Sequence, residues 1–293
     1  MVFVLKSLLW LLALLPLPIL HCAGYVLGWL FFLIPNRRRS TTITNITLCF
    51  PELSRWQRWQ LIRRSLIETN KGALESSAMW MRSGKRALKL VRETVNLELL
   101  EQAYARDKGV ILALPHLGMW EIIALYCSSR FPMTTLYRPP PISGMDSTMR
   151  SGREQLGAKL VPTNAQGVRA LYKALSNGEL VAILPDQDPA HGQGEFAPFF
   201  GVQANTMVLL SRLANKTGAS VICGWAERLS WGRGYRIHFN SIDNSVFSNE
   251  STSAIATLNK SVEQCIRNKP EQYLWCYKRF RTRPAGENKI YKR

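Results

Sequence analysis

Residues 7–35, SLLWLLALLPLPILHCAGYVLGWLFFLIP, contain no Lys, Arg, Asp or Glu. About 20 apolar residues suffice to cross a bilayer, so segment 1–36 reads as an N-terminal membrane anchor. Pro16 and Pro18 interrupt the run, giving one kinked span, or a span followed by an interfacial helix. Arg37-Arg38-Arg39 follows directly. Arginines beside a span stay cytoplasmic, which predicts the rest of the chain on that side. The length of the run and these arginines argue against a cleaved signal peptide. His21 before Cys22 fits a lipoprotein signal poorly.

Beyond the anchor, 40–52 (STTITNITLCFPE) reads as a connector ending in a turn at Pro51. Trp56, Trp59, Leu61, Ile62, Leu66 and Ile67 then recur at helical spacing among Arg55, Arg58, Arg63 and Arg64. The pattern runs to Gly84 and predicts a basic amphipathic helix, broken or continuous, that packs on a core or lies on a membrane surface. From residue 109 short apolar runs alternate with helical ones. Strands are expected at 109–115, 134–139, 158–162, 180–186, 220–226 and 235–242. Helices are expected near 119–130, 143–155, 165–177, 205–217 and 251–268. Several strands are continuous apolar runs, so the fold class is α/β, a mixed and mostly buried sheet flanked by helices. No linker divides 40–293, which is expected to be a single domain.

Charge changes the picture. Thirty-eight Lys+Arg against 20 Asp+Glu give a formal net charge of +18. Such a field attracts polyanions: nucleic acid, anionic headgroups, phosphorylated substrates or acidic proteins. No nucleic-acid motif is present. The six cysteines form no Cys-x-x-Cys pair and no zinc spacing, and read as reduced and structural.

The candidate chemistry sits where strands end. In ALPHLGMWEI (113–122), Pro115 closes an apolar run, and His116 and Glu121 follow, five positions apart. On an ideal helix that spacing is roughly 140° around the axis, so the two share a face only across a turn. With His116 in the turn and Glu121 in the first helical turn, the carboxylate is expected to hold one ring nitrogen and leave the other as a general base. Gly-x-Ser-x-Gly, the phosphate loop and the dinucleotide turn are all missing. A base without an enzyme nucleophile fits direct attack by a bound hydroxyl on an activated acyl group. Arg138 lies at a strand end and Arg150 and Arg153 on or after a helix, where guanidinium forks suit phosphate or carboxylate oxygens. Asp186 ends another strand, ahead of a glycine-containing loop with Phe196, Phe199 and Phe200. Asp186, Asp188 and His191, with His116 and Glu121, offer a metal-centre alternative, although their spacing matches no usual metal pattern. Trp120, Phe196, Phe199 and Phe200 are candidate walls of an apolar acyl groove, and Tyr277-Lys278-Arg279-Phe280-Arg281 reads as a carrier-protein or headgroup contact, or else as a solvated terminal helix.

Together HLGMWE (116–121), NITLCFPELS (45–54), YRP (137–139), GR (152–153), LPDQD (184–188), FAPFFG (196–201) and PEQYLWCYKRFRTRP (270–284) resemble the late acyltransferases of lipid A biosynthesis, the HtrB/MsbB group of the lysophospholipid acyltransferase superfamily. The His-x4-acid motif alone is weak; the ordered set covers nearly the whole chain. The resemblance implies a glycerolphosphate-acyltransferase-like fold in the bacterial inner membrane, with the active site at the cytoplasmic face. It implies acyl carrier protein as donor, a hydroxyl of a 3-hydroxyacyl chain on a Kdo-lipid A precursor as acceptor, and neither metal nor organic cofactor. His116 becomes the base and Glu121 its orienting partner. Arg153 or Arg150, and Asp186, match positions of functional importance. Anionic inner-membrane lipids are further partners. The competing readings are an acyltransferase acting on a lysophospholipid, ornithine lipid or glycolipid, and a membrane-tethered polyanion-binding protein without catalysis.

Overall fold

The computed structural model describes residues 2–140 and 144–291. Pro141, Ser143 (the first residue of a predicted helix) and Met1 of the expected anchor lie outside them. The order is α1 (Val2–Leu14), α2 (Leu17–Leu33), α3 (Arg37–Cys49), α4 (Arg55–Met81), α5 (Gly84–Leu88), β1 (Val91–Val95), α6 (Leu97–Tyr104), β2 (Val110–Ala113), α7 (Trp120–Ser128), β3 (Met133–Tyr137), α8 (Asp146–Glu154), β4 (Ala158–Pro162), α9 (Ala165–Ser176), β5 (Leu180–Ile183), β6 (Gly194–Phe199), β7 (Val202–Met207), α10 (Leu209–Thr217), β8 (Ser220–Arg228), β9 (Tyr235–Ser241) and α11 (Ser251–Asn268).

Seven strands form one sheet in the order β1-β9-β8-β2-β5-β3-β4, parallel except for the β8–β9 pair. The central strands bury both faces. Val110 and Leu112 of β2, with Leu180 and Ala182 of β5, pack against α6 and α7 residues on one side. Ile111, Ala113, Val181 and Ile183 pack against α10, α11 and Trp275 on the other. That two-sided burial is why these strands read as unbroken apolar runs. Burial of each of these Val, Leu and Ile side chains contributes about 1.5–3 kcal/mol.

All six predicted strands are present, and the mixed α/β class with flanking helices is observed. Two expectations change and one open alternative is settled. The connector 40–52 is mostly the helix α3, started by Asn36, whose Oδ1 accepts from the Arg39 amide at 2.9 Å. Its Asn45 is buried and donates to the carbonyls of Trp275 and Tyr277, both at 2.7 Å, tying the C-terminal segment to the N-terminal half. The basic helix α4 is continuous over 27 residues, with Ser54 and Gln57 forming a capping box. The stretch 194–207, expected as a loop running into a helix, is the β6–β7 hairpin. Phe200 and Gly201 both take positive φ, 50° and 76°, which is what a tight two-residue hairpin turn demands.

The apolar N-terminus breaks after Leu14, as the prolines predict, because Pro16 and Pro18 lack the amides that would continue the ladder. Arg82 donates instead to the carbonyls of Ala13 and Leu15. Among the described residues no single helix is long and apolar enough to cross a membrane; α2 and α3 reach that length only as a pair bent by 81°.

Candidate active site

β2 and β5 are parallel neighbours with Ala113 opposite Ile183. Three residues beyond each lies a chemical group, His116 after β2 and Asp186 after β5. The sheet register therefore brings the two together. The Asp186 carboxylate accepts from the His116 amide through Oδ2 at 2.8 Å, and Oδ1 lies 2.8 Å from His116 Nδ1. Asp186 is 3% exposed. Burial pushes its carboxyl up, but the charge and hydrogen bonds of His116 outweigh that and hold it below the usual aspartate range. Because an ionised carboxylate only accepts, the neutral form of His116 carries its one ring proton on Nδ1 and presents its lone pair at Nε2. The amide of Gln187 lies 3.2 Å from that Nε2.

The orienting partner of His116 is thus Asp186, and not Glu121 as the five-residue spacing implied. Glu121 opens α7 and is buried. It is held by Arg153, whose Nε donates to Oε2 at 2.9 Å and whose Nη2 donates to Oε1 at 2.5 Å. Burial alone would lower the Arg153 guanidinium; Glu121 raises it on balance and keeps it charged. Arg150 faces away, donating to Glu154 and to the Leu160 carbonyl at 3.4 and 3.3 Å. Of the two candidate arginines, Arg153 is the one at the site.

The turn between His116 and Glu121 is fastened from two sides. Gly118 donates to the Gln272 carbonyl at 3.0 Å, and Met119 donates to the Ala226 carbonyl at 2.9 Å. Gly118 has φ +63°, and a Cβ there would lie 1.8 Å from the Ala226 oxygen. Only glycine permits that approach.

His116, Trp120, Glu121, Arg138, Arg153 and Gln187 line one open cavity of about 900 Å³. Leu125, Met133, Leu136, Leu160, Val168, Ile183, Val208 and Leu209 form much of its wall, with Tyr277, Arg212 and Arg281 also contributing. Trp120 stands edge-on to the His116 ring at 5.0 Å between centroids. Phe196, Phe199 and Phe200 do not line the cavity. The β6–β7 hairpin carries Phe199 and Phe200 into the core, where Phe200 packs on Phe50 and Trp275 at 5.1 and 5.7 Å.

Asp188 does not turn towards His116. It accepts from Asn205, Arg281 and Thr282 at 2.9, 3.0 and 2.9 Å, and so seats the C-terminal segment beside the cavity. With Asp186 spent on His116, the Asp186–Asp188–His191 set does not converge. Among the described residues no group of three His, Cys, Asp or Glu side chains is placed to hold a metal. The basic tail is not a solvated helix either. Arg279 and Phe280 are buried, Arg279 donating to Thr206 at 2.7 Å, while Tyr277 and Arg281 reach the cavity.

Comparison with known proteins gives the site its context. The profile of the bacterial lipid A biosynthesis acyltransferases matches residues 1–282. The chain belongs to this family. It is 31% identical over 287 residues to the lipid A biosynthesis palmitoleoyltransferase of Escherichia coli (strain K12), covering 97% of this chain and 92% of that one. It is 29% identical over 279 residues to the lauroyltransferase of the same organism, 95% and 90% covered, and 26% identical over 262 residues to its myristoyltransferase, 88% and 79% covered. This lipid A acyltransferase is therefore an acyl-transferring enzyme. Gln187 of the LPDQD motif, and Tyr277 and Arg281 of the basic aromatic tail, join the cavity, a placement that local sequence does not give. Only the pairing of β2 with β5 brings 184–188 to His116.

Proposed function

We propose that this acyltransferase moves a fatty acyl chain from acyl carrier protein to a hydroxyl of a 3-hydroxyacyl chain on a Kdo-lipid A precursor. The observation that carries the reading is an imidazole locked by a buried carboxylate, its free Nε2 facing a large, mostly apolar-walled cavity. The acceptor hydroxyl displaces Gln187 and gives its proton to Nε2 as its oxygen attacks the thioester carbonyl carbon. The tetrahedral intermediate collapses with cleavage of the carbon–sulfur bond. The departing thiolate takes the proton from the imidazolium, leaving an ester and free carrier thiol. Asp186 stabilises the transient imidazolium. The Glu121–Arg153 pair forms a polar edge that orients the reacting groups, and Arg138 offers a cation to acceptor phosphates. The apolar wall, with Trp120, takes the acyl chain. The bacterial inner membrane, with the catalytic part on the cytoplasmic side, is where both substrates meet.

The test supplies purified enzyme with acyl carrier protein thioesters and a Kdo-bearing lipid A precursor. The expected result is a product heavier by one acyl chain, with His116→Ala slowing its formation by about 10²–10⁴-fold. Acylation of a lysophospholipid, ornithine lipid or glycolipid with no change in the lipid A precursor would overturn the acceptor assignment.

A further inference from the structure

The two ends of α2 rest on the same globular body. α2 runs antiparallel to α4, and a Cβ on Gly28 would lie 2.3 Å from Ile67 Cα, one on Gly24 2.7 Å from Lys71 Cα. Between these glycines and the helix start, His21 bonds the buried Glu75, which also accepts from Arg228 Nε at 2.8 Å. At the C-terminal end Phe32 meets Trp59 edge-on at 5.8 Å. At the N-terminal end Pro18 touches the turn Ser230–Gly232 between β8 and β9, where a Cβ on Gly232 would lie 2.5 Å from Pro18 N. A helix of 17 residues is about 26 Å long. Were it to cross a bilayer, the β8–β9 turn and its exposed Arg233 would have to cross with it.

The face of α2 turned away from α4 is apolar. Ile19, Ala23, Val26, Leu30 and Leu33 are exposed at helical spacing. α1 extends this surface with Phe3, Leu8, Trp10, Leu11 and Leu14. Beside them Trp231 is 86% exposed and holds φ +61°, a costly backbone for a bulky residue. Nothing in the catalytic cavity uses it. The rim is cationic, with exposed Arg37 and Arg38 after α2, Arg55 at the start of α4 and Arg233 next to Trp231. An apolar face with a cationic rim and an aromatic at its edge complements an anionic headgroup layer.

We propose that the outer faces of α1 and α2 and the Trp231 turn lie together along one leaflet of an anionic bilayer, with Trp231 at headgroup level, in place of a span. This inference does not rest on the acyl-transfer chemistry, and it is tested without acyl donor or acceptor. The full chain, with Cys276 replaced by serine, is bound to vesicles of phosphatidylethanolamine and phosphatidylglycerol. A nitroxide is attached to native Cys22 or, in Cys22→Ala chains, to Leu33→Cys or Trp231→Cys. Oxygen and nickel accessibilities then give depth. All three labels are expected at similar, shallow depths. A Cys22 label about 17 Å deeper than the Leu33 label, the rise over the turns between them, would overturn the proposal, as would a 231 label standing in water. Since a cysteine at 231 can disturb the turn, tryptophan emission is read as well. The emission lost in Trp231→Phe is expected to be quenched by lipids brominated near the headgroup; an unquenched difference overturns the proposal.

Discussion

The orientation of His116, the proposed base, is set by a hydrogen bond that local sequence does not announce. Asp186→Asn keeps the shape of the site but offers an NH₂ or a neutral carbonyl to Nδ1, which removes the fixed tautomer and the imidazolium's counter-charge. The expected result is a fall in kcat of about 10²–10⁴-fold with little change in KM, measured on the purified enzyme. Its pH signature follows from the depressed carboxyl. A carboxyl whose folded value lies below its unfolded one stabilises the fold above the unfolded value, about 3.9. That stability is lost as pH falls through the folded value. Denaturation of wild type and Asp186→Asn in detergent is therefore expected to show a stability gap that closes as pH falls below about 4. His116 and Asp186 are visible in the sequence as polar interruptions at strand ends, and Glu121 as a carboxylate in the first turn of a helix. Who pairs with whom is not. The five-residue spacing favoured Glu121, and only the pairing of β2 with β5 shows that two loops 70 residues apart face each other.

At the scale of elements, strands buried on both faces were the most legible, because their apolar runs have one use. β1 (VRETV) was missed because it is a short, charged edge strand. The β6–β7 hairpin was missed because Phe200 occupies a turn position where glycine or asparagine normally signals positive φ. α3 was missed because a Thr-rich stretch has poor helix propensity, and its packing supplies what propensity does not. Asn45 on α3 holds the segment that carries Tyr277 and Arg281 to the cavity. Asn45→Ala leaves two carbonyls without their donor and is expected to cost about 1–3 kcal/mol. Thermal unfolding in detergent measures that loss, and faster proteolysis of the C-terminal segment should accompany it.

For the whole molecule, a net charge of +18 and an apolar N-terminal face point to two contributions to membrane affinity that respond differently to salt. The charge contribution is screened, with a Debye length of about 10 Å at 0.1 M and 3 Å at 1 M. The apolar contribution is not. Raising salt is therefore expected to weaken binding to vesicles of phosphatidylglycerol without abolishing it, as followed by flotation. Binding that vanishes at high salt would mean the apolar face stays outside the lipid. The family's place in lipid A biosynthesis unites these properties, since a lipid acceptor and an acidic membrane surface both suit a cationic, apolar-faced enzyme.

The central claim is that this site acylates a lipid A precursor with His116 as base. Mass spectrometry of lipid A from a strain lacking the enzyme, complemented with wild type or His116→Ala, tests it most directly. The account predicts lipid A lighter by one acyl chain in the deletion strain, restored by wild type and not by an equally abundant His116→Ala enzyme. Full restoration by His116→Ala, or lipid A of unchanged mass in the deletion strain, would contradict it.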